Sequence, residues 1–351
     1  MRPSLGIPRE MWLRLGLALG AFAVAFALST WRVGHGAPDF YVFWTAAQHW
    51  QTPYDPAIIT RLQAAIHLGG IWPFSYPPTF LLFAWPFAQM PMTLAYPLWA
   101  GLECAVFFFT ASWLVKPIWA TALLVLTPVV FFSAELGQTS LLTGAAMIGA
   151  WQLRDARPAL AGVLLGIAAC IKPQAMILVP IVFWGRWRML GWMIAAGVAL
   201  IAASLVFGWQ RWAEWSHAVA SFSGLVAATD RINPSALSPS PWWAMVVGAL
   251  GLYLALTCRD LVGLVCGALC LSPYSHAYDL AVLTPLALSW LIEYRARGWA
   301  LAAAGGALLA GLVAMPAAAL AFVAALAVFR SRWWPFHGSA PASLGSPEPA
   351  R

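Results

Sequence analysis

Charge is what this sequence lacks most. Asp, Glu, Lys and Arg make up only 9% of its 351 residues, against about a quarter in a soluble globular chain. So few charges cannot clothe a water-soluble protein of this length. Hydrophobic residues account for 62% and tryptophan for 22 positions, and indole rings favour membrane–water interfaces. Together these indicate an all-α, polytopic integral membrane protein. Lysine is nearly absent, with Lys116 and Lys172 alone, so the net charge of +7 rests on arginine. The arginines are scattered between apolar runs and form no basic stripe with interleaved aromatics, so no nucleic-acid partner is expected. Cysteine is scarce too: Cys104, Cys170, Cys258, Cys266 and Cys270 all lie in apolar segments. Cys266 and Cys270 share a helix face, but no His or acidic residue joins them, so neither a metal nor a cofactor is expected. No internal repeat is evident, which removes support for an inverted-repeat transporter. A small-residue cleavage site is also missing after the apolar run Leu15 to Leu28, which therefore reads as a first transmembrane helix.

Apolar segments recur from about residue 11 to about residue 329. Several are shorter than the roughly 20 residues needed to cross a bilayer, so their boundaries extend into neighbouring residues or they span only half of it. Arginine placement puts the N-terminus, Arg154/Arg157, Arg186/Arg188, Arg259, Arg295/Arg297 and Arg330/Arg332 on the cytoplasmic side. The stretches at about 32–75, about 209–241 and Pro273–Asp279 then face outward. Parity requires 76–91 to be re-entrant or partial, and Pro77, Pro78 and Pro86 disfavour a regular span there. About twelve transmembrane helices result, in one membrane domain over 1–337. A Pro/Ser/Gly/Ala-rich tail, 338–351, is expected to be disordered. Within the first outer stretch, Phe40 to Trp50 suits a short helix opened by Asp39. Pro56–Leu68 suits a helix on the membrane surface, with Ile58, Leu62, Ala65 and Ile66 on its apolar face.

An ionisable residue at membrane depth costs roughly 2.5–3.5 kcal/mol on insertion scales, so each needs a reason. Those on the outer side gather at Asp39, Glu135, Lys172 and His276/Asp279, with Tyr41, Tyr76, Gln138 and Gln174 nearby in sequence. Each lies at the end of an apolar segment, so converging helix ends would form one polar pocket. For Asp39 the residue pattern allows both a helix N-cap and a general base against the wall of Phe40, Phe43 and Trp44. Lys172-Pro173-Gln174 fits a turn with a snorkelling lysine, or a phosphate-binding lysine at a helix N-terminus. His276 and Asp279 share a helix face. The carboxylate could orient the imidazole toward phosphate or sugar, or the two could make an interhelical hydrogen bond. Glu135 and Gln138, also three apart, fit either capping or a sugar-binding wall. Asp230-Arg231-Ile232-Asn233 fits a turn and cap.

Several short motifs occur in a telling order: Asp39-Phe40-Tyr41, Tyr54-Asp55, Phe74-Ser75-Tyr76-Pro77-Pro78, Gly137-Gln138-Thr139, Lys172-Pro173 and His276/Tyr278/Asp279. Over about residues 30 to 290 the chain resembles glycosyltransferase family 87, a polyprenyl-phosphate-mannose-dependent mannosyltransferase-like group of the C-type glycosyltransferase superfamily. It departs from that pattern in lacking a glycine shortly before Tyr54 and in a loose fit near Asn233.

The resemblance implies a polyprenyl-phosphate sugar donor, commonly mannose, and a lipid or glycan acceptor at the outer face of a bacterial cytoplasmic membrane. It also implies inversion at the anomeric carbon without a metal, with Asp39 as the catalytic carboxylate. In that scheme Lys172 and His276 hold the donor phosphate. Tyr41, Tyr54, Tyr76, Glu135, Gln138, Gln174 and Asp279 line the sugar and acceptor, and Trp44 adds a stacking surface. Apolar grooves between spans, with the surface helix, would take the prenyl chain. A transporter or flippase of a lipid-linked sugar and a non-catalytic scaffold are the competing classes. The first would favour polar residues near mid-membrane.

Overall fold

The computed structural model describes residues 8–33, 38–65, 73–229, 241–272 and 277–294. His276, the 230–233 turn, the segments beyond 294 and the tail 338–351 lie outside the described residues. Among the described residues every regular element is a helix. The first five are α1 (Arg9–Arg32), α2 (Pro38–Gln48), α3 (Pro56–Ala65), α4 (Pro78–Ala88) and α5 (Met92–Ala111). A 3-10 segment, Ile118–Leu126, leads into α6 (Pro128–Leu136). Then come α7 (Ser140–Leu153) and α8 (Pro158–Ile171), a 3-10 turn at Pro173–Met176, α9 (Val179–Val182) and α10 (Trp187–Ser204). The remainder are α11 (Gln210–Thr229), α12 (Pro241–Cys258), α13 (Leu261–Leu271), a 3-10 segment Ala277–Leu283 and α14 (Thr284–Tyr294).

Proline sets many of these boundaries. It occupies the first turn of α4, α6 and α8, where its missing N–H costs nothing. Pro128 also stops the preceding helix, so Ile118–Leu126 and Pro128–Leu136 meet at 69° instead of forming one straight span. Asp260 caps α13 by accepting the Gly263 N–H at 2.9 Å. Gly162 and Gly166, one turn apart on α8, lie against the backbone of α10: a Cβ at Gly162 would sit 2.2 Å from the Met189 carbonyl oxygen. Small residues thus let two helices approach closely, as in membrane helix pairs generally.

Three described helices are long and apolar enough to cross a membrane (Arg9–Arg32, Met92–Ala111 and Trp187–Phe207), and the bent pair brings the number to four. The other apolar helices are shorter; at 1.5 Å per residue, α7 and α8 reach only about 21 Å. The expected re-entrant or partial segment is α4, with 11 residues. α2 covers most of the short helix expected after Asp39, and α3 most of the surface helix. Ile59 of α3 is buried in the same apolar cluster as Phe40, Phe43 and Phe80, so α3 is pinned to the bundle, while Ile58 and Leu62 stay partly exposed. The outer stretch 209–241 opens not as a loop but as the 20-residue helix α11.

Two apolar clusters divide the interior. The larger runs through α5, α7, α8 and α13. The smaller is aromatic and joins α2 and α4 to the start of α5 through Phe40, Phe43, Phe74, Phe80, Tyr96 and Trp99. The polar residues of interest lie along the seam between them.

Candidate active site

The α6–α7 junction, residues 135–140, is the hub. Gly137 ends α6 in the left-handed conformation (φ 65°), and a Cβ there would lie 2.6 Å from Phe40 Cβ. Only glycine satisfies both conditions. The turn therefore presses directly on the residue beside Asp39. Two aromatic donors from α5 hold it from behind: Tyr96 Oη donates to the Glu135 carbonyl at 2.7 Å and Trp99 Nε1 to the Gly137 carbonyl at 2.9 Å. Asp39 is half-buried in the first turn of α2, one residue inside the helix start, and so is not its N-cap.

Tyr76 closes the junction from α4's side. Its hydroxyl donates to Gln138 Oε1 at 2.9 Å and lies 3.1 Å from Thr139 Oγ1. Its ring packs on Phe43 and Phe80, with centroids 4.8 and 4.6 Å away, so it clamps the junction to the aromatic cluster. Trp44 is likewise anchored, donating Nε1 to the Met90 carbonyl at 3.1 Å. Tyr54 Oη donates to the Tyr76 carbonyl at 2.8 Å. Burial first, and then the Glu214 charge, push the Tyr54 phenol well above its usual range, so it stays a donor. Burial also raises Tyr41.

On the far side of the junction, Lys172 Nζ donates to Asp279 Oδ1 at 2.7 Å and to Ser140 Oγ at 2.9 Å, and Ser140 Oγ donates to the same carboxylate oxygen at 3.1 Å. The ammonium also stands 4.9 Å from the Tyr278 ring centre. Asp279 Oδ1 thus serves Lys172 and Ser140, while His276 lies outside the described residues. Of the two readings of Lys172-Pro173-Gln174, the turn matches the four-residue 3-10 segment Pro173–Met176. The cavity beside Lys172, Gln174 and Asp279 holds about 40 Å³, room for a water and not for a sugar.

Glu135 and Gln138 do not share a helix face, because Gly137 breaks the chain between them. Glu135 instead pairs with Arg32 at the end of α1. That pair closes one end of a cavity of about 490 Å³, otherwise lined by apolar residues of α1, α5 and the bent pair, from Trp12 to Leu28 and Phe108 to Phe131.

The structure thus joins Tyr76, Gln138, Lys172, Gln174 and Asp279 along one seam, with Phe40, the neighbour of Asp39, against its turn and Tyr54 behind Tyr76. Sequence reasoning missed Arg32, Trp99, Thr139 and Ser140. Thr139 and Ser140 stand in the quoted Gly137-Gln138-Thr139 run and its next residue, so that signal was at hand. Arg32 gave none, being one arginine among many. Glu103 departs from the expectation that ionisable groups sit at segment ends: it is mid-α5, fully buried, and neither carboxyl oxygen has a hydrogen-bond partner among the described residues.

A family model for glycosyltransferase family 87 matches residues 74–316. The chain belongs to glycosyltransferase family 87. Its long apolar helices and this membership make it a membrane glycosyltransferase. No curated protein and no solved structure matches it. The matched range contains Tyr76, Glu135, Gln138, Lys172, Gln174, His276 and Asp279, and begins after Asp39, Tyr41 and Tyr54. The case for Asp39 in this chain therefore rests on where α2 sits.

Proposed function

We propose that this protein transfers a sugar, mannose by family resemblance, from a polyprenyl-phosphate donor to a lipid or glycan acceptor at the outer face of a bacterial cytoplasmic membrane. Asp39 acts as the general base. The observation that supports this reading is the close approach of Phe40 to Gly137, which ties the helix carrying Asp39 to the turn next to Gln138. An acceptor hydroxyl gives its proton to the Asp39 carboxylate while its oxygen attacks the anomeric carbon. The bond from that carbon to the phosphate oxygen breaks, polyprenyl phosphate leaves, and the configuration inverts.

The 490 Å³ cavity along α1 suits the prenyl chain, being apolar throughout except at one end. Arg32 is the cation at that end, Lys172 lies across the junction, and His276 joins them by the family resemblance. These donors would hold the phosphate and stabilise its departing charge. Lys172 can do so only by loosening its bond to Asp279. Gln138 and Tyr76, already bonded to each other, shape the sugar's surroundings, and Tyr41, Glu135 and Gln174 line its approaches. A flippase would draw on mid-membrane polar groups, of which Glu103 is the clear example; Glu135, Gln138, Lys172 and Asp279 instead stand at helix ends or junctions.

The test is transfer by the purified protein in nanodiscs, with polyprenyl-phosphate mannose and a membrane glycolipid extract. Asp39→Asn is expected to lower turnover by about 10²–10⁴-fold, the usual value of a positioned base, with unchanged thermal unfolding. Equal turnover by both proteins removes Asp39 from the mechanism.

A further inference from the structure

A second cavity, of about 590 Å³, lies on the outer side between the segment 52–59, Pro73–Phe74 and α11. Unlike the groove along α1, it is lined by Asp55, Arg211, Glu214 and His217 against an aromatic wall of Tyr54 and Phe74. Its walls are tied together at both ends. Arg211 donates to the Gln51 carbonyl, and Trp215 Nε1 donates to the Ser75 carbonyl at 3.0 Å. Arg211 also pairs with Glu214 at 2.6 Å, while its Nε–H is buried with no partner among the described residues. Asp55 Oδ1 accepts the Ala57 N–H at 2.8 Å, leaving its second oxygen for other donors.

From this we infer that the cavity is a distal subsite for a neutral saccharide of the acceptor, a reading that rests on the glycosyltransferase function proposed above. Charge selects the ligand class. Two carboxylates against one guanidinium, itself already paired, disfavour a phosphate or other anion. The same groups offer acceptors and donors in alternation beside an apolar wall, which is how uncharged polyols are held. Position selects the role. The cavity borders Thr52 and Tyr54, beyond the C-terminal end of α2, whereas Asp39 is in its first turn. Nine residues at 1.5 Å put roughly 14 Å between them, too far for the reacting hydroxyl and suited to a sugar some units away. The link between the two places is direct: Tyr54 bonds to Tyr76, and Tyr76 to Gln138. Occupancy of this subsite makes acceptors of three or more sugar units better substrates than shorter ones.

The test is ligand-observed saturation-transfer NMR on the protein in nanodiscs, with neutral manno- and gluco-oligosaccharides of one to four units and, separately, inorganic phosphate. Binding is expected to strengthen with length, to weaken at least about tenfold in Glu214→Gln, and to be blocked in Ala218→Trp, which fills the cavity while keeping both members of the ion pair. It is expected to be unchanged in Asp39→Asn, so a failure of the catalytic assignment leaves this result standing. Phosphate binding in place of saccharide, no saccharide binding at millimolar concentration, or binding that both cavity variants leave intact each overturns the inference.

Discussion

Arg186 and Asp155 meet at 2.9 Å between two loops at the end of the bundle where α7 finishes and α10 begins, with the arginine more than a third exposed and the aspartate two-thirds exposed. Lys172 and Asp279 meet at 2.7 Å at the opposite end, with 7% and 22% exposure. Chemically the pairs are alike. The first sits in water or headgroups, where such a pair contributes about 0–1 kcal/mol. The second is enclosed, hydrogen-bonded to Ser140 and packed near Tyr278, so loss of one partner strands a buried charge. The same division runs through the whole molecule. Where α1 begins and α5 ends, Glu10 and Lys116 interact near the surface, with buried Arg14 anchored to Ser112 beneath them. Where α1 ends and α5 begins, Arg32, Glu135, Tyr96 and Trp99 converge on one turn. One end uses its charges for orientation; the other uses them to build a site.

Four substitutions sharpen this contrast, beyond the loss expected for Asp39→Asn. Gly137→Ala carries the largest penalty, since it adds about 1–2 kcal/mol for the left-handed backbone to a collision with Phe40. It is expected to shift α2, and transfer activity should collapse although no reacting group has changed. Activity at the level of the parent protein would mean that the junction does not set Asp39. Lys172→Met leaves Asp279 unpaired and is expected to cost about 3 kcal/mol, the low end for a buried pair, read as a fall in detergent melting temperature. Pairing it with Asp279→Leu should restore most of that stability but not transfer. Tyr76→Phe removes a hydroxyl shared by Gln138 and Thr139 and is expected to cost about 1 kcal/mol, with a matching drop of several-fold in kcat/KM. Asp155→Asn, at the arginine-lined end, should stay within about 0.5 kcal/mol and leave transfer untouched. If Asp155→Asn and Lys172→Met unfold alike, the distinction between the ends is lost.

Much of the site was legible because the residues that carry it interrupt apolar runs. Lys172 and Gln138 stand out for that reason, and both lie on the seam. What could not be read was pairing. Asp279 meets Lys172 from 107 residues away. The Tyr76 hydroxyl meets Gln138 from 62 residues away, and its ring packs on Phe43 and Phe80. The helix α11 was hidden because its residues are mixed in polarity, with Trp212 and Trp215 beside Arg211 and Glu214, so no clean apolar period marks it.

The sequence by itself determined the solvent of this protein. A chain with so little charge and so much apolar surface belongs in a bilayer, and its prolines and glycines set where helices break. It also determined the family, through short motifs kept in order. Only the tertiary structure decided which polar groups meet, because in an apolar bundle each one must find a partner wherever the packing brings one within reach. That requirement joins Lys172 to Asp279 and Tyr76 to Gln138, and the close packing of Gly137 on Phe40 ties α2 to the same junction.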